Sequence, residues 1–149
     1  MPEFDIVIRN PNSTRPWQHV LEPLSGYLTL AEKLYIVGNK YAEAWNFGPA
    51  QEDNRTVEEV LTLLQVHWPE LKWEQTQTLQ PNESKLLYLD HAKAKTKLDW
   101  QPVWSLEHAL QATADWYRQF QEQGTVQSEQ QLANYIDDAY SAGLSWVHK

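Results

Sequence analysis

Apolar residues along this chain keep switching between a short period and a long one, and each switch predicts an element boundary. Asp5 to Arg9, centred on Ile6, Val7 and Ile8, is rich in β-branched residues and reads as a strand. Asn10-Pro11-Asn12-Ser13 is turn chemistry, and Thr14 to Val20 returns as an extended piece interrupted by Pro16. From Leu21 the period lengthens. Leu21, Leu24, Tyr27, Leu28, Ala31, Leu34 and Tyr35 fall at three- and four-residue spacing and predict a helix with one apolar, core-facing side. Pro23 lies in its first turn, where a missing N–H costs little, and Gly38-Asn39 ends it.

Ala44 to Pro49 reads as a short strand stopped by Gly48-Pro49. Thr56, with Glu59 three residues on, forms a capping box for a helix burying Val57, Val60, Leu61, Leu64 and Trp68. Trp73 to Gln77 and Lys85 to Leu89 are weaker strand candidates, separated by a polar loop at 80–84. Asp90 is placed to cap a helix through Ala92, Ala94 and Leu98. Ser105 caps the clearest helix, whose stripe is Leu106, Ala109, Leu110, Thr113, Trp116, Tyr117 and Phe120, with Gly124 at its end. After a glutamine-rich linker, Leu132, Tyr135, Ile136, Ala139 and Tyr140 predict a last amphipathic helix. The expected class is α/β, with a small sheet and more helix than strand. The expected division is a lobe over 1–124 and a C-terminal linker and amphipathic helix over 125–149 packed on it.

Composition narrows the function. The 149 residues suffice for one domain with its own core. A net charge of −8 argues against a nucleic-acid backbone or an anionic membrane as the main partner. With 0 cysteines there is no disulfide, thiolate metal site or thiol nucleophile, as suits a reducing cytoplasm. No apolar run is long enough to span a membrane, and the N-terminus lacks a secretory signal pattern. The immediate entry into a strand suggests a chain cut from, or begun late in, a larger protein.

Candidate chemistry is sparse. The histidines at 19, 67, 91, 108 and 148 have no ligand-like spacing, so no metal is expected. The 5 glycines admit neither a dinucleotide fingerprint nor a P-loop. There is no G-x-S-x-G, and no Tyr-x-x-x-Lys pair. No catalytic residues are assigned. What remains is anion binding in the loop holding Arg9 and Arg15, where a planar guanidinium can grip a diphosphate in bidentate fashion. Trp17 beside it either covers a base or sugar or fills the core.

The segment from Ile8 to Leu28, reading Arg9-Asn10-Pro11-Asn12-Ser13-Thr14-Arg15-Pro16-Trp17-Gln18-His19-Val20-Leu21-Glu22-Pro23-Leu24 through its middle, closely resembles the CDP-glucose 4,6-dehydratases. These are extended short-chain dehydrogenases/reductases. Ala44 to Pro49 resembles the family's next strand. Leu89-Asp90-His91-Ala92-Lys93-Ala94 and Leu98-Asp99-Trp100-Gln101-Pro102 resemble its late signatures, with Asp99 standing where the family has glycine. The resemblance covers only the family's C-terminal, substrate-binding part. It implies no cofactor in this chain, since NAD, the lyase chemistry and the Tyr-x-x-x-Lys belong to the N-terminal half of the full-length family. It further implies a CDP-sugar as ligand, with Arg15 at the diphosphate and Arg9, Asn10 and Trp17 beside it. Asn46 follows the next strand, and Glu83 lies near the nucleoside, within Asn82-Glu83-Ser84 where relatives read His-Glu-Ala. The expected partners are that CDP-sugar and either a separate NAD-binding domain or a second copy. A non-catalytic interaction or dimerisation domain derived from the same fold is the alternative.

Overall fold

A computed structural model describes residues 6–76 and 85–147. Among them the order is β1 (Ile6–Ile8), β2 (Thr14–Arg15), α1 (Leu21–Val37), β3 (Arg55–Thr56), α2 (Val57–His67), β4 (Trp73–Gln75), α3 (Ala92–Leu98), α4 (Leu106–Gln123) and α5 (Ser128–Ser141). The strands form two small pieces. β1 pairs with β4 in parallel, and β2 pairs with β3 antiparallel, with Arg15 opposite Arg55. The α/β class with a short mixed sheet therefore holds.

Local signals explain the helix ends. Thr56 Oγ1 accepts from the Glu59 N–H, and the Glu59 carboxylate accepts from the Thr56 N–H at 2.7 Å, closing the capping box. Asp90 Oδ1 accepts from the Ala92 N–H at 2.8 Å, and Ser105 Oγ from the His108 N–H at 3.3 Å. Gly124 closes α4 in the left-handed region. Asp99 closes α3 in that same region, at φ 56°. A Cβ is unfavourable in this conformation, which suits the glycine that the resemblance implies at this position.

α1 corrects the expectation of an apolar core face. Its buried positions are Glu22, Ser25, Gly26 and Thr29. Leu28 is 73% exposed and Tyr35 92% exposed, and Leu24, Tyr27 and Ile36 are exposed with them. The helix is amphipathic in the ordinary way, but the rest of the chain packs on its polar and small-residue side. Trp100, fully buried, reaches Ser25 Oγ with its indole N–H at 2.9 Å. Gly26 lets the ring of Phe47 lie against the helix backbone, so close that a Cβ would stand 2.2 Å from it.

A second correction concerns Ala44 to Pro49, which forms no strand. Its carbonyls are taken by side chains instead: Lys93 Nζ donates to Ala44 O at 2.7 Å, and Gln18 Nε2 to Phe47 O at 2.9 Å. Phe47 then joins Ala94, Leu98 and Trp100 in one core cluster. Lys85 to Leu89 contributes only a single bridge, Leu86 to Thr14. The other clusters are Val60 with Leu106 and Leu110, and Ala139 with Leu144 and Val147. The α2 stripe is shallower than its spacing predicts, because of its residues only Val60 is fully buried. The α4 stripe likewise leaves Tyr117 and Phe120 exposed, and the α5 stripe leaves Leu132, Ile136 and Tyr140 exposed.

Candidate functional site

The turn Asn10 to Ser13 carries the chain from β1 into β2, and Ser13 N–H closes it on Asn10 O at 3.1 Å. Backbone bonds then lock β2 on both sides. Thr14 N–H donates to Lys85 O at 2.9 Å, and Leu87 N–H to Thr14 O at 3.2 Å, while β3 pairs along the other edge. Arg15 thus stands on a rigid ribbon, half-buried, with Nη1 donating to Thr14 O at 2.9 Å.

Directly across the ribbon sits Arg55. Opposed residues of an antiparallel pair project to the same side, close enough for their side chains to meet. The Arg15 guanidinium is turned onto Thr14 O, and Arg55 lies near enough to the Glu59 carboxylate to help lower its pKa. Arg55 was not among the residues singled out from the sequence. Its one signal was a basic residue immediately before the Thr56 cap, and pairing between strands of two residues leaves no periodic trace.

The other candidates fall in different places. Trp17 packs against the cluster of Val60, Leu106 and Leu110, and its indole N–H donates to Arg55 O at 3.0 Å. It therefore braces the ribbon from the core side. Arg9 is exposed just past β1, and Asn10 is half-buried at the turn. Asn46 is exposed in the segment before Phe47, which Gln18 ties to the motif. Glu83 lies outside the described residues.

His19 is buried, and Nδ1 accepts from the Leu21 N–H at 3.3 Å at the start of α1. Burial holds its pKa below the ordinary histidine value, against the raising effect of a hydrogen bond with Gln131. Glu22, fully buried, accepts from Trp104 N–H at 2.8 Å, Val103 N–H at 2.9 Å and the Tyr135 hydroxyl at 2.8 Å. Burial raises its pKa in spite of those donors. This network closes the α1–α5 contact, and two of its members, Ser25 and Tyr135, line a cavity between those helices.

Nothing in the glycine placement makes a phosphate cradle. Gly38, Gly124 and Gly143 lie at or just past helix ends, Gly26 abuts Phe47, and Gly48 abuts Leu89. Among the described residues no three acidic or histidine side chains gather to hold a metal, and no helix is long and apolar enough to cross a membrane.

Comparison with known proteins agrees with the motif. The chain is 40% identical over 134 residues to CDP-glucose 4,6-dehydratase of Salmonella typhimurium, covering 88% of this chain and 37% of that protein. It thus spans little more than a third of the length of this curated relative and corresponds to its C-terminal part. No family model matches. UDP-glucuronic acid 4-epimerase from Bacillus cereus, solved with UDP-glucuronic acid and NAD, superposes with a TM-score of 0.65 at 21% identity, over 79% of this chain and 36% of that one. UDP-glucose 4-epimerase from Thermotoga maritima, solved with UDP-glucose, superposes with a TM-score of 0.62 at 22% identity, over 80% of this chain and 37% of that one. The fold is that of part of an extended short-chain dehydrogenase/reductase, as the resemblance implied.

Proposed function

We propose that this chain is the nucleotide-sugar-binding lobe of a CDP-glucose 4,6-dehydratase-like protein, and that it has no dehydratase activity by itself. The observation that carries this reading is the ribbon that sets Arg55 opposite Arg15, a residue of the segment that resembles that family. Arg15 and Arg55 grip the diphosphate of a CDP-sugar, with Arg9 and Asn10 at the mouth of the turn. Asn46 and Glu83 belong to the sugar and nucleoside ends of the same ligand. Hydride transfer falls to an NAD-binding lobe carried elsewhere, because none of the 5 glycines here serves a dinucleotide.

Calorimetric titration with CDP-glucose and UDP-glucose tests the site. Binding of CDP-glucose should weaken about tenfold or more in Arg15→Ala and in Arg55→Ala, since each removes charge-assisted hydrogen bonds. Affinity unchanged in both variants would remove the assignment. Turnover of CDP-glucose by the chain with only NAD added would refute the inactivity.

One observation favours a second reading, a non-catalytic interaction domain. Leu24, Tyr27, Leu28, Tyr35 and Ile36 make a continuous exposed apolar stripe on α1, and such patches mark interfaces. In the first reading a separate NAD-binding lobe covers that stripe; in the second another copy does. Size-exclusion chromatography separates them: a stable dimer indifferent to CDP-glucose supports the second, and a monomer stabilised by CDP-glucose supports the first.

A further inference from the structure

Between β2 and α1, three consecutive side chains are each anchored to a different part of the fold. The Trp17 indole N–H donates to Arg55 O at 3.0 Å, and Gln18 Nε2 donates to Phe47 O at 2.9 Å. His19 follows, buried at the entry to α1. Its Nδ1 accepts from the Leu21 N–H at 3.3 Å, and its C=O accepts from the Glu22 N–H at 3.0 Å. Val20, at the cap position itself, makes no side-chain capping bond. The imidazole therefore takes the place of a capping side chain for the first turn of α1.

Gln131 of α5 holds the imidazole by a further hydrogen bond. Gln131 Nε2 already donates to Ala112 O on α4, which leaves its Oε1 to accept from His19 Nε2–H. Neutral His19 has one ring N–H and one ring lone pair, and both are used. A second proton, on Nδ1, would oppose the Leu21 N–H and place a positive charge at the positive end of the α1 dipole. No carboxylate stands ready to pair with it. Trp104 meets the ring edge-on at 4.9 Å and itself stacks on His108 of α4 at 4.5 Å. Beyond Trp104 lie Tyr135 and Asp138 of α5, and the Asp138 carboxylate accepts from the Trp104 indole N–H at 2.7 Å. Glu22 of α1 is occupied by Val103, Trp104 and Tyr135. Tyr117 of α4 lines the same cleft as His19, whose walls hold no acidic side chain among the described residues.

We propose that His19 is a positioning residue for the Arg15 loop, clamping that loop to α1 and α5 only while its imidazole is neutral, so that acid releases the clamp. Of the three anchors, only His19 can change its charge near neutral pH. Burial is the largest influence keeping it neutral; Gln131 acts the other way, and His108 adds to burial. The clamp is thus fully in place above the ordinary histidine value of 6.5 and is lost as pH falls through the lower folded value. The clamp itself belongs to the fold. Its consequence for a diphosphate on Arg15 rests on the function proposed above.

The test follows the His19 ring nitrogens, the Leu21 amide and the Gln131 carboxamide of the 149-residue chain by NMR, from about pH 8 to about pH 4.5. The Leu21 and Gln131 signals should move with the midpoint of the His19 ring, and that midpoint should lie below the ordinary value. His19→Asn keeps an acceptor where Nδ1 stands but cannot titrate, so the Leu21 step should vanish with the spectrum otherwise intact. Calorimetric titration with CDP-glucose then compares about pH 7.5 with a pH below the His19 midpoint. Wild-type affinity should fall about fivefold or more on acidification, and that of His19→Asn less than about twofold. A Leu21 signal indifferent to His19, read in the wild type alone, or a His19 midpoint at or above the ordinary value would overturn the clamp. A clamp that opens while CDP-glucose affinity holds would overturn the positioning role. Absence of CDP-glucose binding at either pH would sink the diphosphate reading and the positioning role with it, leaving the clamp to stand or fall on the shifts.

Discussion

The Tyr135 hydroxyl donates to Glu22 Oε2 at 2.8 Å, joining residues 113 apart in sequence. It also lies 3.1 Å from Ser25 Oγ, which accepts from the Trp100 indole N–H. α5 is thus tied to the start of α1 through a buried carboxylate, and the same carboxylate orders the turn before α4 through Val103 and Trp104. Burial, with the Glu22 carboxylate second, pushes the Tyr135 pKa far up, so the phenol stays a donor throughout the accessible pH range.

Tyr135→Phe removes that donor without removing the ring. Glu22 then keeps two backbone donors but loses the third while remaining buried, which costs about 1–3 kcal/mol. Urea unfolding followed by tryptophan fluorescence measures the loss. A change below about 0.5 kcal/mol would mean that the contact contributes no more than an ordinary surface pair.

The same carboxylate sets a pH dependence. Glu22 has a raised pKa in the folded chain, caused first by burial. Between the ordinary value of 4.5 and the raised folded value, the native state binds more protons than the unfolded one. The Glu22 contribution to stability is therefore fully present below the ordinary value and lost as pH rises through the folded one. Glu43, lowered first by its hydrogen bond from Lys93, and Glu59, lowered first by the Thr56 N–H, act in the opposite direction on the surface. Their effect cancels when wild type is compared with Glu22→Gln. The stability advantage of wild type over that variant should shrink as pH rises from about 4 to about 7. An advantage that grows with pH would mean that Glu22 titrates below its ordinary value.

Asp99 closes α3 at φ 56°, ψ 35°, a conformation that glycine adopts more readily. Aspartate tolerates this region better than most residues but still has a Cβ to accommodate. Asp99→Gly should raise stability by up to about 1 kcal/mol, visible as a Tm higher by a few degrees. A fall in Tm would show that the aspartate side chain contributes more at this cap than its backbone costs.

What could be read from residues alone followed the strength of local chemistry. The capping box at Thr56, the caps from Asp90 and Ser105 and the Gly124 stop all operate within four residues, and each forms as its spacing predicts. The motif around Arg15 likewise pointed to the right fold. The Arg15–Arg55 pairing was not legible, because two-residue strands carry no periodicity and the backbone bonds flanking this pair, Val57 N–H to Ser13 O and Glu58 N–H to Pro11 O, join residues more than forty apart in sequence. The strand expected over Ala44 to Pro49 failed because tertiary partners claimed its carbonyls. Periodicity also identified α1 correctly as an amphipathic helix, yet it cannot say which side this chain covers, and that side is the polar one.

That inversion gives the last expectation, since it separates two roles that periodicity alone would merge. If the apolar stripe of α1 were core, Leu28→Lys would bury an ammonium and cost several kcal/mol. Leu28 is instead 73% exposed, and leucine and lysine have similar helix propensities, so the substitution should change stability by no more than about 0.5 kcal/mol. Ser25→Val, on the opposite side, removes the hydroxyl that accepts from Trp100 Nε1 and donates to Glu22 O. It also places a larger, branched side chain among buried neighbours, and should cost about 2–4 kcal/mol. Paired urea curves decide between the two sides. Equal losses would return the stripe to the core. A silent Leu28→Lys beside a damaging Ser25→Val would confirm that α1 keeps its apolar side for a surface outside these residues. In that case Leu28→Lys should also lower any self-association seen by size-exclusion chromatography, because one charge in the middle of an apolar patch must be desolvated before a partner can cover it.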